Sequence, residues 1–223
     1  MKLLIDSANI SKIEEYLEYL PIEGVTTNPS ILKKEGNIDF FDHMKNIRKL
    51  IGTNRSLHIQ VISDSYNGIL EDAFNILEKV DEKAFIKIPV SRNGLMAIKK
   101  LKEEQIKITA TAVYSSIQGI LASEWNVDFI APYINRMQNL GTNPFEVVSQ
   151  INGNIINSSS SSKILGASYK NIYQVLESVN SGSEYVTLGT DVLDKLLADV
   201  NIEQAVKDFS KDWYAIHNRN SIL

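Results

Sequence analysis

The chain has 223 residues, of which 43% are hydrophobic and 22% charged, and its formal net charge is −4. This composition is typical of a globular protein with a sizeable core. The negative charge gives no reason to expect nucleic acid or an anionic membrane as a partner. The absence of cysteine excludes disulfides, thiolate catalysis and cysteine-based zinc sites, and it is compatible with the cytoplasmic location that we expect. The N-terminal stretch contains Asp6 and no long apolar run, so we expect neither a signal peptide nor a transmembrane span.

Short apolar stretches alternate with amphipathic stretches along the chain. The pattern predicts eight strands, at 2–5, 24–27, 57–62, 84–90, 106–113, 127–133, 163–168 and 185–189. It predicts helices at 11–20, 31–34, 39–51, 67–80, 93–104, 115–123, 143–152, 171–179, 191–198 and 202–218. Ser11 is the predicted cap of the first helix, and the Ser-rich residues 154–162 are predicted to form a loop.

Eight short strands separated by short helical connections suit right-handed βα crossovers. We therefore predict an α/β fold in which residues 1–223 form one (β/α)₈ barrel, with residues 202–218 as an additional C-terminal helix. An open doubly wound sheet is the alternative. No GxGxxG motif follows the first predicted strand, so a dinucleotide-binding fold gains no support.

One strand contains a residue that does not fit its surroundings. The stretch Ala84-Phe85-Ile86-Lys87-Ile88-Pro89-Val90 is apolar on both parities, as expected of a strand buried on both faces. Lys87 is unusual there, because lysine is rarely buried without a partner or a task. Burial disfavours the ammonium, so we expect a lowered pKa and a nucleophilic amine, as in Schiff-base lysines. The alternative is a strand-end lysine whose ammonium reaches water.

Polar residues follow or end seven of the eight predicted strands. In a parallel barrel the carboxyl ends of the strands meet at one face, where catalytic groups lie. We therefore expect these side chains to form one site. They are Asp6, Thr26, Asn28, Gln60, Lys87, Thr109, Thr111, Tyr133, Arg136, Ser168 and Lys170.

The chemistry of these residue types predicts catalytic roles. Lys87 would attack a ketone, and Asp6 would handle protons during dehydration of the carbinolamine. Tyr133 is the candidate for moving the proton of the sugar hydroxyl during C–C cleavage, through a water held by Gln60 and Thr111.

A second group of residues predicts phosphate binding. Arg136, Ser168 and Lys170 would supply a planar fork, a hydroxyl and a point charge. The three histidines are scattered and form no metal-binding motif, so we expect no metal and no cofactor. His58 shares the parity of Gln60 and is predicted to be a hydrogen-bonded core residue.

Motifs across nearly the whole chain resemble the small-transaldolase and fructose-6-phosphate aldolase family. The motifs are Leu4-Ile5-Asp6, Gly24-Val25-Thr26-Thr27-Asn28-Pro29-Ser30, Gln60-Val61, Ile86-Lys87-Ile88-Pro89-Val90, Thr111-Ala112-Val113-Tyr114, Ala131-Pro132-Tyr133-Ile134-Asn135-Arg136 and Ala167-Ser168-Tyr169-Lys170. The resemblance implies that Lys87 forms a Schiff base beside Asp6. It also implies that Asn28, Arg136 and Ser168 bind the hydroxyls and phosphate of a sugar phosphate, and Thr26 is a further candidate for this task.

Two residues bear on the activity within the family. The resemblance implies that transaldolases carry Glu in place of Gln60 and often Phe in place of Tyr133, so this chain is more similar to the aldolase subgroup. We therefore expect cleavage of fructose 6-phosphate to dihydroxyacetone and glyceraldehyde 3-phosphate. The alternative is transfer of the dihydroxyacetone unit between sugar phosphates, as between sedoheptulose 7-phosphate and glyceraldehyde 3-phosphate. Ala110 and Gly189 depart from the aldolase pattern, but neither removes a group with an assigned role.

The C-terminal helix bears Phe209 and Trp213, which are predicted to be packing residues. The resemblance implies that this helix reaches a neighbouring subunit in a homo-oligomer, a five-membered ring or two such rings. The competing class is a non-catalytic barrel that binds sugar phosphates, with Lys87 as a phosphate ligand.

Overall fold

The computed structural model describes residues 1–223 and contains eight parallel strands that close into a barrel. Each strand pairs with the next in sequence, and the last pairs with the first. The strands are β1 (Lys2–Asp6), β2 (Ile22–Thr26), β3 (Ser56–Gln60), β4 (Phe85–Pro89), β5 (Ile108–Val113), β6 (Phe129–Pro132), β7 (Lys163–Gly166) and β8 (Tyr185–Leu188). The predicted (β/α)₈ barrel is confirmed.

Helices fill the connections and cover the outside of the barrel. They are α1 (Ile10–Tyr19), α2 (Pro29–Leu32), α3 (Phe40–Ile51), α4 (Tyr66–Lys79), α5 (Arg92–Glu103), α6 (Ser116–Ser123), α7 (Ile134–Asn139), α8 (Pro144–Ser158), α9 (Ile172–Asn180), α10 (Thr190–Leu193) and α11 (Val200–His217). A 3₁₀ turn, Lys33–Glu35, follows α2. None of the helices is both long and apolar enough to cross a membrane.

Several local predictions were wrong. Asn9, not Ser11, caps α1, because its side chain accepts a hydrogen bond from the N–H of Lys12 at 2.9 Å and leaves Ser11 inside the helix. Residues 154–158 continue α8 rather than forming a loop, since Ile155 packs against the core and packing outweighs the weak helix propensity of Asn and Ser. The short α7 was not predicted at all.

Alternate residues of each strand face two different environments. The outward residues join the helices in a cluster of 40 buried apolar residues, which includes Ile59, Ile86 and Ile88. The inward residues form a separate, smaller apolar cluster of Leu4, Phe129, Leu165 and Tyr185, against which Phe85 packs. This inner cluster lies towards the amino ends of the strands. Towards the carboxyl ends the buried interior is polar, with Thr26, His58, Lys87, Thr109 and Thr187.

Candidate active site

Lys87 lies at the centre of the polar part of the barrel. It is the third residue of β4, paired with Gln60 of β3 on one side and Thr109 of β5 on the other. Only 4% of its surface is exposed, and its amine makes no hydrogen bond or ion pair with another residue. Burial lowers the pKa of the Lys87 ammonium, and the nearby Asp6 carboxylate acts in the opposite direction. The alternative of an ammonium that reaches bulk water does not fit this burial.

Asp6 ends β1 and is held by two threonines. The Thr26 hydroxyl donates to Oδ1 of Asp6 at 2.6 Å, and the Thr26 and Thr187 hydroxyl oxygens are 2.7 Å apart. Because Thr26 has one proton and gives it to Asp6, the Thr187 hydroxyl must donate to Thr26. Burial raises the pKa of the Asp6 carboxyl, whereas Lys87 and the bond from Thr26 oppose that rise. The chain of hydroxyls fixes the carboxylate facing the barrel interior.

Tyr133 follows β6 and is oriented by β5. The Thr111 hydroxyl donates to the Tyr133 phenol oxygen at 3.0 Å, which leaves the phenol proton free for another acceptor. The pairing of β5 with β6 is irregular between Ala110 and Val113, and Ala112 there has a left-handed φ of 56°. Burial raises the pKa of the Tyr133 phenol, an effect that the Thr111 bond and the Arg136 charge partly offset.

Arg136 is placed at the rim by two aromatic rings. Its guanidinium lies 4.8 Å from the centre of the Tyr133 ring, and its Nη1 donates to the Tyr114 hydroxyl at 3.1 Å. The Tyr114 and Tyr133 rings meet edge to face at 5.6 Å. The bond to Tyr114 uses one N–H group of the Arg136 guanidinium. The side chain is exposed, so its other N–H groups are available to bind an anion.

Three further predicted residues lie at the same end of the barrel. Asn28 caps α2 by accepting the Ile31 N–H at 3.0 Å, which leaves its NH₂ group available. Ser168 has a left-handed φ of 61°, and its hydroxyl makes no hydrogen bond within the protein. A strained backbone at a non-glycine residue is typical of functional sites. Lys170 is exposed and pairs with Asp191 at 3.1 Å, so its charge is already partly used.

Two of the inward residues of β3, Gln60 and His58, have different environments. Gln60 is half-buried, and its Oε1 is a buried acceptor without a partner in the protein. His58 is fully buried, with Nδ1 2.8 Å from the Thr109 hydroxyl and Nε2 2.9 Å from the Ser56 hydroxyl. Burial lowers the pKa of the His58 imidazole well below its ordinary value. The prediction that His58 is a hydrogen-bonded core residue is confirmed.

Comparison with known proteins places this geometry in a family. Residues 3–221 match the family described as transaldolase/fructose-6-phosphate aldolase. The chain is also 46% identical, over the full length of both proteins, to a probable fructose-6-phosphate aldolase of Streptococcus pneumoniae (strain ATCC 700669 / Spain 23F-1). The chain belongs to this family. The resemblance inferred from the motifs is therefore confirmed, and the chain is a member of an enzyme family.

The site also contains residues that the sequence did not reveal. Thr187 is the polar residue that β8 places in the interior, and β8 was the one strand for which no polar site residue was predicted. Thr187 has the same parity as the inward Tyr185, and this alternation could have predicted its position. Tyr114, which holds Arg136, was part of a quoted motif but received no role. No group of three or more His, Asp or Glu side chains is arranged to hold a metal ion.

Proposed function

We propose that the protein is a class I aldolase that cleaves fructose 6-phosphate reversibly to dihydroxyacetone and glyceraldehyde 3-phosphate. The observation that carries the proposal is the burial of the Lys87 amine inside a closed barrel. This burial lowers the pKa of Lys87, and the negative charge of Asp6 opposes the change. A buried lysine at the mouth of a barrel suits nucleophilic attack on a carbonyl. The name of the pneumococcal relative supports the same substrate.

The first stage is formation of the Schiff base. The neutral Lys87 amine attacks C2 of the ketose, and transfer of one proton from its nitrogen to the former carbonyl oxygen gives a carbinolamine. The carbinolamine hydroxyl then leaves as water after protonation by the Asp6 carboxyl, whose pKa is raised by burial. The ionised carboxylate that remains stabilises the iminium on Lys87.

The second stage breaks the bond between C3 and C4. The electron pair of that bond moves into the iminium and forms an enamine. The phenol of Tyr133 takes up the proton of the C4 hydroxyl as it releases its own proton, through water, to the Asp6 carboxylate that dehydration left ionised. In the reverse direction Tyr133, which has a raised pKa, donates this proton to the aldehyde oxygen. Protonation of the enamine at C3 and addition of water to the iminium then release dihydroxyacetone and the free amine.

The rim residues would bind the phosphate. Arg136 has free N–H groups beside the site, and Ser168 has a free hydroxyl. Asn28 is the candidate for contacts with sugar hydroxyls. Thr26, predicted for the same task, is fully buried with its hydroxyl between Asp6 and Thr187, so its role would be to position Asp6. Lys170 would add a weaker, screened charge because it is exposed and paired with Asp191.

Transaldolase activity is the second candidate, since the family description includes both activities. The distinguishing residue is Gln60, which pairs with Lys87 in register. A glutamine cannot shuttle a proton, whereas a glutamate at this position would. The Oε1 of Gln60 has no partner in the protein and can accept a hydrogen bond from a water or a substrate hydroxyl. This supports a role for Gln60 in positioning that group.

Borohydride reduction tests the Schiff base. With fructose 6-phosphate present, we expect reduction to add covalent mass to the protein, and Lys87→Met to abolish the addition. Lys99→Met is the matched control, because Lys99 lies on the surface over Trp125 and should leave the addition unchanged. An unmodified wild-type protein would favour the non-catalytic sugar-phosphate-binding barrel.

Product analysis separates the two enzyme activities. Fructose 6-phosphate alone should yield free dihydroxyacetone. If product appears only after addition of erythrose 4-phosphate, as sedoheptulose 7-phosphate, the protein is a transaldolase. We expect Gln60→Glu to increase transfer relative to cleavage, and an unchanged ratio would exclude a role for Gln60 in that partition.

We also propose that α11 packs against a neighbouring copy in a homo-oligomer, a pentamer or decamer by family resemblance, in the cytoplasm. The helix has no buried residue, and Val206, Phe209 and Ile216 expose 58%, 71% and 75% of their surface. An apolar cavity of about 550 Å³ beside Gln60, lined by Leu32 and Phe41 among others, supports an apolar partner.

Light scattering should show a smaller assembly for Phe209→Asp than for the exposed control Lys207→Asp, and equal masses would contradict the proposal.

A further inference from the structure

The amino end of the barrel contains a second concave region, opposite the mouth with Lys87. A half-open cavity of about 480 Å³ lies there, and its wall includes Arg55, Lys83, Lys107 and Lys163. Its floor is formed by Phe85, Phe129 and Tyr185 of the inner apolar cluster. The aromatic floor separates this cavity from the polar part of the interior, so the two concave regions are distinct.

The wall of this cavity carries an excess of positive charge. Six of its residues are Lys or Arg, whereas three are acidic. Two of the acids are already paired, Asp81 with Arg48 at 2.7 Å and Asp128 with Lys102 at 3.1 Å. Four cations therefore face one remaining carboxylate, Glu23, which is exposed and forms no ion pair. This local excess stands out in a chain of net charge −4.

The lysines of the wall converge on the aromatic floor. The ammonium of Lys107 lies 5.1 Å from the centre of the Phe85 ring, and that of Lys163 lies 5.4 Å from the centre of the Tyr185 ring. Lys2 approaches the same Tyr185 ring at 5.3 Å. The rings are in mutual contact, Phe85 with Phe129 at 5.3 Å and Phe129 with Tyr185 at 4.9 Å. Three ammonium groups are thus gathered around one floor. Lys163 also donates to the Tyr185 hydroxyl at 3.4 Å, and Lys2 has the carboxylates of Glu23 and Glu184 nearby.

An aromatic face is only a partial partner for an ammonium. Each cation–π contact at an exposed position contributes little, and like charges gathered in a concave region repel one another. A multivalent anion would satisfy the ammonium N–H groups with charge-assisted hydrogen bonds and remove that repulsion. The low-dielectric floor and the concave walls strengthen the attraction relative to a flat lysine-rich surface.

We propose that this basal cavity is a binding site for a small anion with at least two negative charges, of the phosphate or phosphorylated-metabolite class. Lys107 and Lys163 are its principal ligands, and Arg55 and Lys83 add charge from the wall. The volume suits a molecule of diphosphate or sugar-phosphate size. No buried nucleophile or acid lines the cavity, so the site binds and does not catalyse.

Inorganic pyrophosphate is the probe for the test. Full-length protein is acetylated with an amine-reactive reagent with and without pyrophosphate, at constant ionic strength, and the acetylation rate of each lysine is measured by peptide mass spectrometry. We expect pyrophosphate to slow acetylation of Lys107 and Lys163. Lys99 and Lys195, which lie outside the cavity, serve as internal controls and should be unaffected.

Calorimetry separates this site from the phosphate groups at the barrel mouth. Pyrophosphate binding should persist in Arg136→Gln, and the further change Lys107→Gln with Lys163→Gln should weaken it at least about tenfold, because each charge-assisted bond contributes roughly that factor. The pair Lys99→Gln with Lys195→Gln should leave it unchanged. Loss of all binding in Arg136→Gln, or equal protection of all lysines, would overturn the proposal. None of these outcomes depends on the aldolase activity.

Discussion

The two faces of the barrel strands serve different purposes. Outward residues such as Ile59, Ile86 and Ile88 belong to the apolar layer between strands and helices. Inward residues of the same strands, such as Lys87 and Thr109, lie in a buried polar interior. Side chains alternate along a strand, so one residue can pack in the apolar layer and stabilise the fold while its neighbour faces the interior and takes part in the chemistry. Substitutions on the two faces should therefore have different and separable effects.

The largest expected effect is that of Lys87→Met. Loss of the amine should reduce cleavage below detection, because no other buried amine lies in the interior. Replacing a buried amine that has no hydrogen-bond partner by an apolar side chain should leave the free energy of unfolding unchanged or increase it. Parallel assays of cleavage and urea unfolding measure both effects. Marked destabilisation would mean that the two faces are not separable.

Tyr133→Phe is expected to have the next largest effect. Removal of the phenol should slow cleavage by about 10²–10⁴-fold, the usual contribution of general acid–base catalysis. Schiff-base formation, followed by borohydride trapping, should slow much less, because Tyr133 acts after the iminium forms. Equal slowing of both steps would argue against its role in proton transfer.

The outward face is tested by Ile86→Ala, one residue from Lys87. Ile86 is fully buried in the apolar layer, so we expect a loss of about 2–5 kcal/mol in the free energy of unfolding. Borohydride trapping of the folded protein at low temperature should still occur. A change in unfolding free energy below about 0.5 kcal/mol would mean that the apolar layer contributes less than its burial indicates.

Arg136→Gln should change substrate preference rather than chemistry. In aldol addition, we expect KM for glyceraldehyde 3-phosphate to rise about 10- to 100-fold, because a charge-assisted bond to the phosphate is lost. KM for unphosphorylated glyceraldehyde should stay the same and serves as the control. An equal change for both aldehydes would exclude a phosphate contact.

A smaller effect is expected from Tyr114→Phe. The hydroxyl positions Arg136 through a single bond of 3.1 Å, so its loss should raise the same KM by only about two- to tenfold. The kcat for unphosphorylated glyceraldehyde should not change, since the Tyr114 ring still packs against Tyr133. A decrease in that kcat would indicate that Tyr114 acts through Tyr133 rather than through Arg136.

The comparison of the two faces also explains what the sequence made predictable. Short apolar stretches predicted the eight strands, and their number and short connections predicted closure into a barrel. Parity placed His58 in the interior, and the convergence of strand ends placed Lys87 there. The short α7 was not predicted, because its six residues are too few to show the periodicity of a helix. The left-handed φ of Ala112 has no signature in its residue type, and it accompanies the irregular pairing of β5 with β6. The bond between Tyr114 and Arg136 depends on loop geometry beyond the strand ends, which periodicity does not specify.

The most direct test of the central claim is the pH dependence of Schiff-base formation with fructose 6-phosphate. Burial lowers the pKa of Lys87 from its ordinary value of 10.5, so the neutral amine is present at lower pH than in an exposed lysine. We expect the trapping rate to rise with pH and to reach half of its maximum clearly below pH 10.5, with all added mass on the peptide that contains Lys87. A midpoint at or above 10.5, or mass on any other lysine, would contradict an uncharged, buried Lys87 as the nucleophile.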